Sequence, residues 1–376
     1  MPTDPAIVSL MPVPAITLEV LPAGYGDCLL ISCPVGRRTW RLLVDTGPDE
    51  TYPALQARLA KLRANRQGKR HIDLFIVSHI DHDHIGGASL LLNDQSLGLT
   101  FGDIWFNAAP RPAMRGVAEG ESLAQLLGAK NIALPWNAAF GGKEVVTNGS
   151  GAFTELPSTP GAPRITLLSP TPARLKSLYK VWDKELVRLR NKESDAPSPE
   201  APMTRDMSSL DLKALAAKVT ATDGSIANGS SISILLEHRG ASVLLSADAV
   251  PTVTVPTLQA LARQRRLPGG LSVDAIKLSH HGSRANVTSE LLKAVRADHY
   301  IFSTNNAIFN HPDDEAVARV LVHGGRQPTM WFNYATRRNQ RWAEPALRAK
   351  HGYQVRYPAN GRSGVVIALP ARTTGE

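Results

Sequence analysis

The chain has 376 residues, 43% apolar and 20% charged, which suffices for one large packed core or two ordinary ones and fits a soluble globular protein. Its 42 basic residues outweigh 33 acidic ones, and the resulting +9 favours polyanionic partners such as nucleic acid or nucleotides, although the excess is spread along the chain. No apolar run approaches the roughly 18 residues of a membrane span, and Met1 to Pro14 has prolines and no basic leader, so no membrane or signal segment is read and a cytoplasmic location is expected.

The first segment reads as strands. Ile16 to Leu21 alternates, Cys28 to Cys33 is apolar, and Thr39 to Val44 ends in Asp45-Thr46-Gly47. A glycine-rich turn, Ala23-Gly24-Tyr25-Gly26-Asp27, separates the first two. Asp27 and Asp45 suit turn chemistry or, equally, the support of a ligand loop from behind. Cys28 and Cys33, the only cysteines, would fall on opposite faces of a strand, so they read as small core residues and not as a disulfide. Tyr52 to Leu62 carries Leu55, Leu59 and Leu62 at helical spacing.

The next strand, Leu74-Phe75-Ile76-Val77, runs into His79-Ile80-Asp81-His82-Asp83-His84 and then Gly86-Gly87. A buried strand that delivers imidazoles and carboxylates at its C-terminal end is a metal-binding arrangement. Ala88 to Leu92 begins another helix, and this order of elements implies a layered α/β body. Leu97 to Pro170 is mixed, with a helix around Leu123 to Leu127, a strand at Ile165 to Leu168, and aromatics that read mainly as core. Leu175 to Arg190 is a helix with a basic face. Residues 191–207, rich in proline, serine and charge, read as a flexible loop or insertion. Candidate metal ligands fall on both sides of it, so residues 1–376 are read as a single domain.

Further on, Ile232 to Glu237 and Ser242 to Leu245 are strands, the second ending at Ser246-Ala247-Asp248. Thr257 to Arg263 suits a helix with Pro256 at or just before its first position. Ala275 to Leu278 runs into Ser279-His280-His281-Gly282-Ser283. A helix from Ser289 to Val295 follows, capped by Thr288. Tyr300 to Ser303 leads to Thr304-Asn305-Asn306 and His311-Pro312-Asp313, with Pro312 opening a helix to Leu321. Trp331-Phe332-Asn333-Tyr334, ahead of Arg337-Arg338, reads as a packed tail strand or as a platform on which a base stacks.

Three apolar strands therefore end in candidate ligands, His79 to His84, Asp248, and His280-His281, and in a layered α/β fold such ends converge. Histidine and carboxylate donors suit zinc, while a carboxylate-heavy set also admits manganese or iron.

The run His79-x-Asp81-x-Asp83-His84-x-Gly86-Gly87 resembles the signature of the metallo-β-lactamase superfamily. Asp45-Thr46-Gly47, Ala247-Asp248 and Ser279-His280-His281-Gly282-Ser283 are its supporting marks. It is similar in particular to the branch in which aspartate replaces the second histidine of that signature. That branch includes the soluble hydrolase domain of the bacterial DNA-uptake channel ComEC and soluble relatives, some defence-associated. These share a Gly-x-Gly-Asp turn, here Gly24 to Asp27, and an Asn-x-x-Ser run, here Asn228 to Ser231. The resemblance spans residues 16 to about 321. It implies an α/β, four-layer αββα sandwich with two mixed sheets and two divalent metal ions, Zn²⁺ or Mn²⁺, at one edge. It also implies that His79, Asp81 and Asp248 hold one ion, and that Asp83, His84, Asp248 and one of His280 and His281 hold the other.

There are two departures. Many relatives supply a further histidine before the bridging aspartate, but here no histidine lies between His84 and His238, and Asn228, backed by Asp223, is the expected substitute. The last ligand is ordered His281, His280, His311. In phosphodiester-cleaving relatives a histidine in a His-x-Ser setting meets the scissile phosphate, which His281 could do, leaving His311 for the metal. His82 is expected to turn away, and His71, His299, His323 and His351 read as ordinary residues.

Two metals about 3.5–4 Å apart can share a hydroxide whose pKa falls towards 7, which implies hydrolysis. Asp83 would orient the nucleophile, and Asn228, Ser231, Ser283 and Asn305 are candidates for oxyanion contacts. A phosphodiesterase or nuclease acting on nucleic acid or nucleotides is the leading expectation. A small-molecule ester hydrolase (lactone or phosphocholine ester) and a non-catalytic metal-binding partner protein are the alternatives.

Overall fold

The computed structural model describes residues 13–109, 119–129, 134–192, 207 and 210–372. The first sheet holds β1 (Ile16–Val20), β2 (Leu29–Val35), β3 (Arg38–Val44), β4 (Arg70–Ile76), β5 (Leu99–Trp105) and the late strand β14 (Val365–Leu369). The second holds β6 (Thr154–Glu155), β7 (Arg164–Ser169), β8 (Ser233–His238), β9 (Ala241–Leu245), β10 (Leu271–Lys277), β11 (Val295–Phe302), β12 (Thr329–Phe332) and β13 (Gln354–Arg356). Their orders are β14-β1-β2-β3-β4-β5 and β13-β12-β11-β10-β9-β8-β7-β6. Both sheets are mixed: β3, β4 and β5 run parallel, as do β9 to β13, and the remaining neighbours are antiparallel.

Successive side chains of a strand point to opposite faces, so a strand buried on both faces is apolar throughout. The C-terminal halves of β3 and β4 behave this way, with Leu42, Leu43 and Val44 in one and Leu74, Phe75 and Ile76 in the other. Leu42, Val44, Leu74 and Ile76 face the space between the sheets, where they meet Ile234, Leu236, Val243, Leu245 and Ala275. Leu43 and Phe75 face outward and pack under Leu55 and Leu59 of the helix Tyr52–Ala60. On the other sheet, Leu235, Leu244, Ile276 and Tyr300 face outward onto the helices Pro251–Gln264, Ser289–Ala294 and Asp314–His323. The layers are therefore helix, sheet, sheet, helix, as expected. Cys28 and Cys33 are buried free thiols in different layers, and burial pushes the Cys33 thiol up to about 12.

Two helix starts differ from the sequence reading. Pro251, not Pro256, takes the first turn of its helix; Pro256 lies inside, where the ring forgoes a bond to the carbonyl of Thr252. The helix expected from Pro312 begins at Asp314, with Asp313 at the N-cap position. Thr288 caps its helix as expected, its hydroxyl accepting from the Leu291 amide at 3.2 Å. Trp331 and Phe332 belong to β12, and the Tyr334 hydroxyl accepts from the Gly24 amide, so the tail-strand reading holds for this run. Most of the 191–207 segment lies outside the described residues; 191 and 192 end the helix Pro172–Lys192. Among the described residues, no helix is long and apolar enough to cross a membrane.

Candidate metal centre

Because β3 and β4 are parallel neighbours, Asp45 and the loop from Ser78 to Asp81 leave the same edge of the first sheet. β9 and β10 do the same in the second sheet and deliver Asp248 and the histidine pair. The two edges meet. His281 Nε2 lies 3.0 Å from Asp83 Oδ2, and His84 Nε2 lies 3.3 Å from Asp248 Oδ1. His79, His84 and Asp248 offer donor atoms within 4.8 Å of one another, and so do Asp83, His84 and His281. All five are buried.

The outer hydrogen bonds fix which ring nitrogen faces inward. Asp45 accepts from the Ser78 amide and hydroxyl, each at 2.7 Å, so the Ser78 oxygen must accept from His79 Nδ1 at 3.0 Å. Asp45 also accepts from His84 Nδ1 at 2.8 Å, and the Ser303 carbonyl accepts from His281 Nδ1 at 2.8 Å. In all three rings Nδ1 carries a hydrogen, and Nε2 is left to meet carboxylates. A lone pair facing a carboxylate requires a cation between them, either a proton or a metal ion. Consistent with that, His79 Nε2, His84 Nε2 and Asp248 Oδ1 are buried and without hydrogen-bond partners. This donor set fits a divalent metal ion.

The titration of these groups follows the same logic. Burial would lower His281, but Asp248 and then Asp27 push it up to about 9. His84 rises well above its ordinary value because Asp248, Asp83 and Asp45 outweigh burial. Burial would raise Asp83 and Asp248, yet the neighbouring histidines, His84 foremost, hold both low and ionised.

The remaining expected residues lie as follows. Asp81 is half-buried, its Oδ2 3.7 Å from His79 Nε2, and joins neither donor cluster. His280 Nε2 is 3.8 Å from Asp248 Oδ2, while its Nδ1 faces Asn286 Oδ1 at 3.1 Å and Asp223 Oδ2 at 3.5 Å. His311 stands behind His280, with ring centroids 5.3 Å apart, and turns Nδ1 towards Asp313. Of the three histidines, His281 is the one placed among Asp83, Asp248 and Asp27. His82 turns away, towards Asp49 and Glu50 at 3.5 and 3.6 Å.

Asn228 has two expected roles, substitute for the further histidine and oxyanion contact. Its Nδ2 is held by Asp223 Oδ2 at 2.7 Å and lies 3.4 Å from His280 Nδ1. Its Oδ1 is an acceptor that is buried without a hydrogen-bond partner and suits a cation, as the substitute role requires. Ser283 Oγ accepts from the Ala285 amide, and Asn305 Oδ1 accepts from the Ala307 amide; Ser231 Oγ is buried with no hydrogen-bond partner.

Sequence reasoning missed Lys277. Its side chain is fully buried and ion-paired with Asp27, which also lies 3.4 Å from His281 Nδ1. The available signal was a lysine within the otherwise apolar run that ends β10. Asn286, bridging Asp223 and His280, was missed too. Backbone strain marks the same place: Asp45, Ala247, His280 and His281 all have φ between 46° and 58°.

The Gly24–Asp27 turn braces the ligand loop, since the Asp27 amide donates to the Asp83 carbonyl at 3.0 Å. A Cβ on Gly26 would lie 1.9 Å from that carbonyl oxygen. Gly26→Ala is therefore expected to displace Asp83, lowering stability by about 1–3 kcal/mol and cutting turnover at least about tenfold. A melt and an ester-hydrolysis assay on the variant check both, and an unchanged melting temperature with full activity would refute it.

The two mixed sheets and the edge where their parallel halves meet define the metallo-β-lactamase sandwich. Residues 22–121 match the model of the metallo-beta-lactamase superfamily, so that stretch, from the Gly24 turn past the 79–84 ligand run, carries a domain match to it. Among solved structures, the chain is similar to the metallo-β-lactamase fold protein YhfI from Bacillus subtilis, at 12% identity and a TM-score of 0.44, covering 94% of this chain and 99% of that one. It is also similar to Zn²⁺-bound PqqB from Methylobacterium extorquens, at 12% identity and a TM-score of 0.43, covering 94% and 100%. Both likenesses are distant, and the fold assignment rests on the sheet order and the superfamily match. No curated protein matches the chain.

Proposed function

We propose that this chain, as a single domain, is a metal-dependent hydrolase that cleaves phosphodiesters of nucleic acid or nucleotides, as its sequence resemblance to the ComEC branch implies. The observation that carries the hydrolase reading is the set of three histidines, each with Nδ1 engaged outward and Nε2 turned towards Asp83, Asp81 or Asp248. His79, Asp81 and Asp248, with Asn228 Oδ1 in place of a further histidine, would hold one ion, and Asp83, His84, Asp248 and His281 the other. Bound there, Zn²⁺ or Mn²⁺ would act as a Lewis acid and lower the pKa of water.

The chain's own residues do the rest. Asp83, kept ionised by His84 and His281, can accept a hydrogen from an attacking water and hold it in line. Asp45 fixes the His84 ring and, through Ser78, the His79 ring, so neither turns as charge develops. The preference for phosphodiesters over lactones or phosphocholine esters rests on the resemblance and on the +9 charge.

The test is a screen of purified protein with Mn²⁺ or Zn²⁺. Hydrolysis of bis(p-nitrophenyl) phosphate and of DNA or RNA is expected. Turnover of lactones alone would replace the substrate assignment, and fewer than one tightly held metal per chain under saturating conditions would favour a non-catalytic partner protein.

A further inference from the structure

Away from the metal centre, the most one-sided charge lies between the helix Tyr52–Ala60 and β4. From Thr51 to Ile72 there are six basic residues, Arg58, Lys61, Arg63, Arg66, Lys69 and Arg70, and no aspartate or glutamate, so this segment contributes +6 of the net +9. Two of the six serve the fold. Arg58 grips Glu19 through two nitrogens, and Arg70 donates to the carbonyls of Leu62, Leu97 and Ala60. The other four, Lys61, Arg63, Arg66 and Lys69, are exposed and form no ion pair among the described residues.

The loop that presents them is tightly closed. Asn65 Oδ1 accepts from the Gln67 and Lys69 amides, each at 2.9 Å, and the Asn65 amide donates to the Lys69 carbonyl at 2.8 Å. The parallel register of β3 and β4, with Leu42 beside Leu74, sets Arg38 level with Arg70 and brings exposed Arg37 to the same edge. Arg38 is spent on Asp73, so Arg37 adds a fifth cation. Like charges held together repel one another, and a bound polyanion relieves that repulsion.

We propose that this edge docks the phosphodiester backbone of nucleic acid. Between residues 61 and 70 the exposed side chains are lysine, arginine, asparagine and glutamine, and the one large apolar residue, Leu62, is buried. A membrane-surface segment needs apolar groups to insert beside its cations. Phosphate recognition needs only cations and amides. The edge lies at the N-terminal ends of β3 and β4, whereas the metal centre lies at their C-terminal ends, seven strand residues away, or about 23 Å. It therefore acts as a handle for a polymer and not as part of the catalytic apparatus. That consequence rests on the phosphodiesterase reading; the docking itself does not.

The experiment is fluorescence anisotropy with a labelled oligonucleotide, as single-stranded DNA, duplex DNA and RNA, in EDTA across about 50–200 mM salt. The wild-type chain is compared with a variant carrying Lys61→Glu, Arg63→Glu, Arg66→Glu and Lys69→Glu. Wild type is expected to bind at least one form, and the variant to bind it at least about tenfold more weakly, its salt slope smaller by about 0.7–0.9 per lost phosphate contact. Its melting temperature and its hydrolysis of bis(p-nitrophenyl) phosphate stay unchanged. Equal binding by the variant overturns the proposal, as does a wild type that binds none of the three. Binding to phosphatidylserine vesicles alone overturns it in favour of a membrane. If neither protein hydrolyses the small diester but the variant still loses oligonucleotide binding, the phosphodiesterase reading fails and the docking surface stands.

Discussion

Asp83→Ala is expected to lower turnover of bis(p-nitrophenyl) phosphate by at least about a thousandfold, since positioned acid–base and metal contacts each contribute on the order of 10²–10⁴. Asp83 stands between the two halves of the site, 3.0 Å from His281 Nε2 and 3.8 Å from His84 Nε2. Removing the carboxylate leaves the two inward-facing Nε2 atoms without their shared anion, so bound metal should also fall. The fold should survive. Asp83 is in the short helix His82–Ile85, its carbonyl rather than its side chain bonds the Asp27 amide, and the Ala side chain favours a helix. Circular dichroism and a melt establish that the variant is folded, metal analysis counts the ions, and steady-state kinetics reads the loss. Turnover within tenfold of wild type in a folded variant would remove Asp83 from the catalytic role.

The layers and the ligand run were legible because both depend on local pattern. Strands such as Leu74–Val77 are apolar in every position because each face meets a different core, and His79 to His84 stands out against that background. Three features were not legible, for three physical reasons. His280 and His281 are adjacent identical letters, and only their left-handed backbone, with φ of 49° and 53°, decides which ring turns to Asp83 and which to Asp223. Asn228 was legible as a candidate, but its amide offers both donors and an acceptor, and only its orientation, with Nδ2 towards Asp223, decides that the oxygen is the atom without a partner. Pro256 inside a helix reads as a boundary, because the packing of Val253, Thr257 and Leu258 that carries the helix across it is long-range.

Lys277 is the fourth such case, and it supports the second large prediction. Lys277→Met is expected to destabilise the fold by about 3–5 kcal/mol, the usual cost of stripping one partner from a buried ion pair. Its side chain is 0% exposed and that of its partner Asp27 is 1% exposed, so water cannot solvate the carboxylate left behind. Burial alone would raise Asp27; chiefly Lys277, then His281, bring it down to about 2. The sign follows from that depression: this stabilisation is complete above the unfolded pKa near 3.9 and is lost as pH falls through about 2. The pair Asp27→Asn with Lys277→Met should recover most of the loss, because two neutral groups of similar volume need no charge compensation. Urea unfolding of the single and double variants measures the recovery; a double variant no more stable than the single would refute charge compensation as the cause. The recovered fold should still differ in one respect. Asp27 lies 3.4 Å from His281 Nδ1 and 3.9 Å from His84 Nδ1, so its charge supports the basicity of both inward-facing nitrogens. Loss of such an outer anion typically weakens metal binding by about 10–100-fold. Chelator competition on the double variant should therefore show weaker metal retention at near-normal stability, which separates the role of Asp27 at the metal centre from that of the ion pair in the core.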